Sequence, residues 1–159
     1  MAAQLWFLRH GEAEPHGTRP DAERRLTERG ETQSRAAGAA LVALGIPLAH
    51  VFTSPKVRAL DTARLACEAG LGLEPVVHEA VVGLDAREAL ALAETEEHGR
   101  HALIVGHEPD LSQVVYDLTG GRADLKKGGV AGVRLGGAPE LLVLLRPREL
   151  DRIASAPAD

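Results

Sequence analysis

A chain of 159 residues with 45% apolar and 26% charged side chains has ordinary globular composition, which argues against a disordered chain or a membrane protein and predicts one domain spanning residues 1–159. The net charge of -5, with lysines and arginines scattered along the chain, argues against nucleic acid as the main partner, so any anion site must be local. A single cysteine, Cys67, rules out an intrachain disulfide framework; with no apolar run near the roughly 18 residues a membrane span needs, a cytoplasmic protein is expected.

In chain order, Gln4–Leu8 reads as a buried strand, and Gly11–Arg25 mixes Gly, Pro and charge without periodicity, as a loop does. Thr27, Glu28 and Gly30 open an Ala-rich helix over Glu31–Leu44, with Ala36, Ala37, Ala40, Leu41 and Leu44 at helical spacing and Gly45 as its stop. A second strand is expected at His50–Thr53. Ser54-Pro55 then suggests an N-cap with proline at the first helical position of a helix over Lys56–Glu68. Glu74–Val77 reads as a third strand, Asp85–Glu97 as a helix, His101–Val105 as a strand and Asp110–Leu118 as a helix. Gly129–Leu135 and Glu140–Leu145 resemble an antiparallel pair, and Arg148–Ile153 a closing helix. Alternating strands and helices predict a three-layer α/β fold with a mostly parallel sheet covered on both faces.

Open parallel sheets bind ligands beyond the carboxyl ends of their strands. Three segments put chemistry there: Arg9-His10-Gly11, Ser54-Pro55 with Arg58, and Gly106-His107. Taken alone, each is an ordinary polar turn, surface arginine or buried histidine. Together they would surround one crevice with two imidazoles and two guanidiniums, a set that selects a phosphoryl group. An imidazole whose pKa lies near neutrality is a competent nucleophile, and Gly11 is expected to let a ligand approach closely. Thr62, one helical turn beyond Arg58, either supports that arginine or faces a neighbouring helix.

Arg9-His10-Gly11-Glu12, Leu26-Thr27-Glu28-Arg29-Gly30, Ser54-Pro55-x-x-Arg58-Ala59-x-x-Thr62 and Val105-Gly106-His107 occur in the order and at the separations of the histidine phosphatase (phosphoglycerate mutase-like) superfamily, which the chain resembles. The short length and Gly106-His107-Glu108-Pro109 most resemble the SixA-type protein phosphohistidine phosphatases. The resemblance implies a phosphoglycerate mutase-like fold and a phosphatase without metal or cofactor. In that reading His10 becomes phosphorylated, and Arg9, Arg58 and His107 bind the phosphoryl group, with Gly11 and Ser54 beside it. Expected partners are a phosphorylated protein, such as a phosphohistidine carrier or phosphotransfer domain, or else a small phosphate ester; inorganic phosphate is the product. A monomer is expected, without a nucleic-acid or membrane partner.

Larger family members take a general acid from the segment after the third strand, where Glu79 falls; a solvent-facing Glu79, with Glu12 or no group as the acid, stays open. A small phosphate ester or sugar phosphate is the alternative substrate, and a binding module without turnover the non-enzyme alternative. His16, His50, His78, His98 and His101 have no paired spacing that suggests a metal site, and Lys126-Lys127 is either a solvated pair or part of the pocket rim.

Overall fold

The computed structural model describes residues 2–94 and 101–157. Among these residues, six strands form one sheet: β1 (Gln4–Arg9), β2 (Leu48–Thr53), β3 (Pro75–Val77), β4 (His101–Gly106), β5 (Val130–Arg134) and β6 (Glu140–Leu145), in the order β3-β2-β4-β1-β5-β6. The first four are parallel, and β5 and β6 join antiparallel on the far side of β1. Five α-helices cover it: α1 (Glu28–Ala43), α2 (Val57–Ala66), α3 (Ala86–Glu94), α4 (Asp110–Thr119) and α5 (Pro147–Ala154). This is the expected α/β architecture. The last three residues of the helix expected over Asp85–Glu97, and His98, lie outside the described residues.

The apolar run of β1 has no solvated side because the sheet is covered on both faces. Leu5 and Phe7 point into a core shared with Ile104, Leu111 and Val115, whereas Trp6 and Leu8 point into one shared with Leu41, Leu103 and Leu150. In the second layer α1 packs against α2 and α5. Small residues make the first of these crossings close: a Cβ on Gly38 would overlap the carbonyl oxygen of Ala66. That closeness brings α2, and with it Arg58 and Thr62, up to the end of β1.

Helix boundaries show where local signals sufficed. Thr27 caps α1 by accepting a hydrogen bond from the Gly30 amide, and Gly45 follows the last turn at φ 71°, as its stop role requires. The expected cap of α2 is corrected. Its N-cap is Lys56, so Pro55 precedes the helix, and the Ser54 hydroxyl accepts the Lys56 amide while turning its other side elsewhere. The helix ends at Ala66 and continues as one π turn over Cys67–Leu71.

Candidate active site

Sheet register sets the site. Arg9 pairs with Gly106 across β1 and β4, and Thr53 pairs with Val105 across β2 and β4. The amides of His10 and Ser54 extend those ladders by one bond each, to Gly106 and Val105. His10, Ser54 and His107 therefore leave adjacent strands at one level. The rings of His10 and His107 stand 5.3 Å apart, and both side chains are buried.

Around them lies a cavity of about 200 Å3 lined by Arg9, His10, Arg58 and His107, with Arg24 and Lys127 adding positive charge at its walls. Four of the residues expected at the site thus meet in one place. Its carboxylates are already engaged: Glu14 accepts from Arg19 and from the Arg25 amide, and Glu108 from the amide and hydroxyl of Ser112. Among the described residues, no group of three or more His, Cys, Asp and Glu side chains is arranged to hold a metal ion.

The tautomer of His10 follows from one contact. Its Nδ1 lies 2.7 Å from the Gly11 carbonyl oxygen, which can only accept, so Nδ1 carries the proton and Nε2 keeps its lone pair. Burial lowers the His10 pKa to about 3, against the Gly11 bond and with help from His107, Arg58 and Arg9, so the ring is neutral at pH 7. His107 is lowered to about 4, by burial first and then by Arg58 and Lys56. Its Nε2 lies 2.7 Å from the Ser54 hydroxyl. Because that hydroxyl already accepts the Lys56 amide, sending its own proton to Nε2 satisfies it and leaves Nδ1–H of His107 as a donor. That Nδ1, Nε of Arg9 and Nε of Arg58 are buried without a hydrogen-bond partner among the described residues. Three unpaired buried donors on residues around one cavity suit an oxyanion.

The placement of Arg58 rests on residues that motif reasoning passed over. Asp21, on a 3-10 turn over Asp21–Glu23, accepts from Arg58 through its backbone oxygen at 2.7 Å and its carboxylate at 3.2 Å. The same carboxylate binds Lys56 and Arg24, and these cations hold it well below the usual carboxylate range. Arg24 is itself buried. The loop that carries both residues is drawn shut by a bridge between Ala13 and Leu26, a pairing that no periodicity announces. Thr62 does both things expected of it. Fully buried, its hydroxyl donates to the Arg58 carbonyl, accepts from the Gly11 amide at 3.1 Å and meets Ser34 of α1.

The remaining candidates fall elsewhere. Gly11 is held small by a neighbour in the protein: a Cβ there would strike the carbonyl oxygen of Gly30, because α1 starts against this loop. Glu79 opens a 3-10 turn after β3, the edge strand, where it is exposed and does not line the cavity. Glu12 lies just outside, near Arg29 and Thr27. His16 lines the cavity wall, His78 caps the turn at Glu79, and His101 is buried with its Nδ1 accepting the Gln4 amide.

An uncharacterised protein of Picosynechococcus sp. is 34% identical, with 92% of this chain and 98% of the relative covered. Among solved structures, the protein histidine phosphatase SixA complexed with tungstate superposes with a TM-score of 0.79 at 24% identity, covering 92% of this chain and 99% of that one. Phosphoserine phosphatase of Entamoeba histolytica, in complex with 3-phosphoglyceric acid, superposes at 0.73 and 17%, covering 93% and 99%. The family model of the histidine phosphatase superfamily (branch 1) matches residues 5–97, a span that holds Arg9, His10, Ser54 and Arg58, and the chain belongs to that superfamily.

Proposed function

We propose that the protein is a phosphatase that works through a phosphohistidine on His10 and acts on phosphohistidine in proteins. One observation carries the reading: a neutral imidazole with its free Nε2 fixed by Gly11 stands among the unpaired donors of Arg9, Arg58 and His107.

In the first step the lone pair of His10 Nε2 attacks phosphorus, the P–N bond of the substrate breaks, and the substrate imidazole leaves neutral with a proton from solvent on its ring. His10 now carries the phosphoryl group on Nε2 and the proton on Nδ1. The ring becomes cationic, so its bond to the Gly11 carbonyl strengthens. Water then attacks phosphorus, the bond to Nε2 breaks, and inorganic phosphate leaves while His10 returns to its neutral form. Throughout, Arg9, Arg58 and Nδ1–H of His107 offset charge on the oxygens of a loose transition state. Catalysis of this kind is mostly positioning, and the donors are held in place beforehand.

A cavity of about 200 Å3 is small for a drug-sized ligand and is compatible with a phosphoryl group on a side chain whose protein stays outside. An imidazole is also a good leaving group, which suits a cavity whose carboxylates are engaged and Glu79 outside it.

The test mixes the protein with a phosphohistidine-bearing phosphotransfer domain and quenches rapidly in alkali. Acid-labile phosphate on His10 and release of inorganic phosphate are expected, with neither in His10→Ala and wild-type turnover within about twofold in Glu79→Gln. Phosphate release by His10→Ala at the wild-type rate would refute the nucleophile. Loss of turnover in Glu79→Gln would restore that residue as the acid.

A further inference from the structure

Beside the cavity, a second and wider depression of about 450 Å3 is lined by Arg9, Arg29, Lys126, Lys127, Arg146 and Arg148, with Glu12 as its lone carboxylate. In a chain of net charge -5, six cations against one carboxylate is a strong local reversal. We propose that this groove docks an acidic stretch of the substrate protein next to its phosphorylated histidine, an inference that rests on the protein phosphohistidine reading above.

The groove continues from the catalytic cavity, since Arg9 and Lys127 line both. It is also fixed to the nucleophile. The Gly128 amide donates to the carbonyls of Arg9 and His10 at 3.0 Å each, and Nη1 of Arg9 donates to the Leu125 carbonyl at 2.9 Å. Gly128 sits at φ 78°, so the lysine turn takes a left-handed residue that glycine supplies without strain. Lys126 and Lys127 are thus held at a set distance from His10. The remaining cations come from α1 and from the start of α5, on the other walls.

The kind of anion follows from how the charges are spread. In the cavity, buried donors surround one point. In the groove, Arg29, Lys126, Lys127, Arg146 and Arg148 are exposed, on long side chains from three separate segments, and suit carboxylates spaced along a chain better than one compact anion. Three are partly satisfied already, by Glu12, Asp124 and Glu149, whereas among the described residues Lys127 forms no ion pair and Arg148 feels Glu149 only at longer range. A nucleic-acid strand is the competing polyanion. Among the described residues no aromatic side chain lines the groove to stack a base, which favours the acidic polypeptide.

The experiment compares wild type with the Lys126→Glu/Arg148→Glu double variant on two substrates: a phosphohistidine-bearing phosphotransfer domain with acidic residues around its histidine, and phosphoramidate. On the phosphoprotein, KM rises at least tenfold in the variant, with kcat within twofold, and the wild-type KM rises more steeply with salt than the variant's. On phosphoramidate both constants stay within twofold, which also shows that the variant is folded. The neutral pair Lys126→Gln/Arg148→Gln gives an intermediate KM. Equal KM on the phosphoprotein, or an equal loss on both substrates, overturns the proposal. Inhibition by a short DNA oligonucleotide that wild type shows and the variant lacks assigns the groove to nucleic acid and overturns it too. Wild-type turnover of phosphoramidate with none of the phosphoprotein is a distinct result: it refutes the substrate reading and removes the docked partner with it.

Discussion

Replacing Thr62 with valine keeps the shape of a fully buried side chain and removes a hydroxyl that joins three segments. The Gly11 amide loses its 3.1 Å acceptor inside the protein, and a buried donor left without a partner costs about 1–3 kcal/mol. For a chain of this size each kcal/mol is worth roughly 2–4 °C, so melting should fall by roughly 2–12 °C. The functional effect travels through one residue, because Gly11 also supplies the carbonyl that orients His10. If about 1 kcal/mol of the loss is felt in the transition state, kcat falls about fivefold. Thr62→Ser separates the two effects. It keeps the hydroxyl and sheds a methyl group worth about 0.8 kcal/mol, so it should melt a few degrees lower with kcat near wild type. Differential scanning fluorimetry and steady-state kinetics on the three proteins read both quantities. Wild-type kcat in Thr62→Val, or equal kcat losses in the valine and serine variants, would refute the coupling from Thr62 through Gly11 to His10.

Two further outcomes follow. Imidazole NMR of the free protein should show no titration of His10 or His107 near 6.5, since both are lowered, to about 3 and about 4. Between those values and 6.5 the unfolded chain binds protons that the folded one does not, so stability falls as pH drops through that window; a midpoint near 6.5 for either ring contradicts the burial argument. Asp21→Asn should lower kcat/KM by roughly threefold to tenfold, because Arg58, Arg24 and Lys56 lose a shared charge while the Asp21 backbone oxygen still holds Arg58. The effect is bounded because this carboxylate is partly solvated, and unchanged kcat/KM in both Asp21→Asn and Asp21→Ala would show that it positions nothing.

What could be read from the sequence was local. Arg9, His10 and His107 stand where apolar runs stop, and parallel strands place such stops along one edge, so the residues that meet in the cavity were visible as strings. Arg58 was legible from its place near a helix start. The residues that hold this set were not legible, for a physical reason. Asp21 and Arg24 lie in a stretch whose conformation comes from its closure at Ala13 and Leu26 and from ion pairs across 35 and 37 residues, and such pairings leave no period in the sequence. Ser54 offered two uses for one hydroxyl. Its neighbour Pro55 argued for a helix cap, whereas the structure joins it to His107 as well as to Lys56. Gly11 was read as a place where a ligand comes close, whereas the crowding seen there, from Gly30 of α1, is a fold contact that the local string does not announce.

The bond between His10 and the carbonyl of the very next residue has a consequence for divergence. Because the nucleophile takes its tautomer from its own peptide, that proton placement needs no side chain of the surrounding walls to change in step with it. The segment between Ala13 and Leu26 meanwhile returns to its starting point, so residues can be inserted within it without displacing β1 or α1. Reactivity and selectivity are thereby carried by separable modules. A lineage that lengthens that segment outside Asp21 and Arg24, and so keeps its hold on Arg58, can enclose a different phosphorylated compound while inheriting the phosphoryl-transfer chemistry.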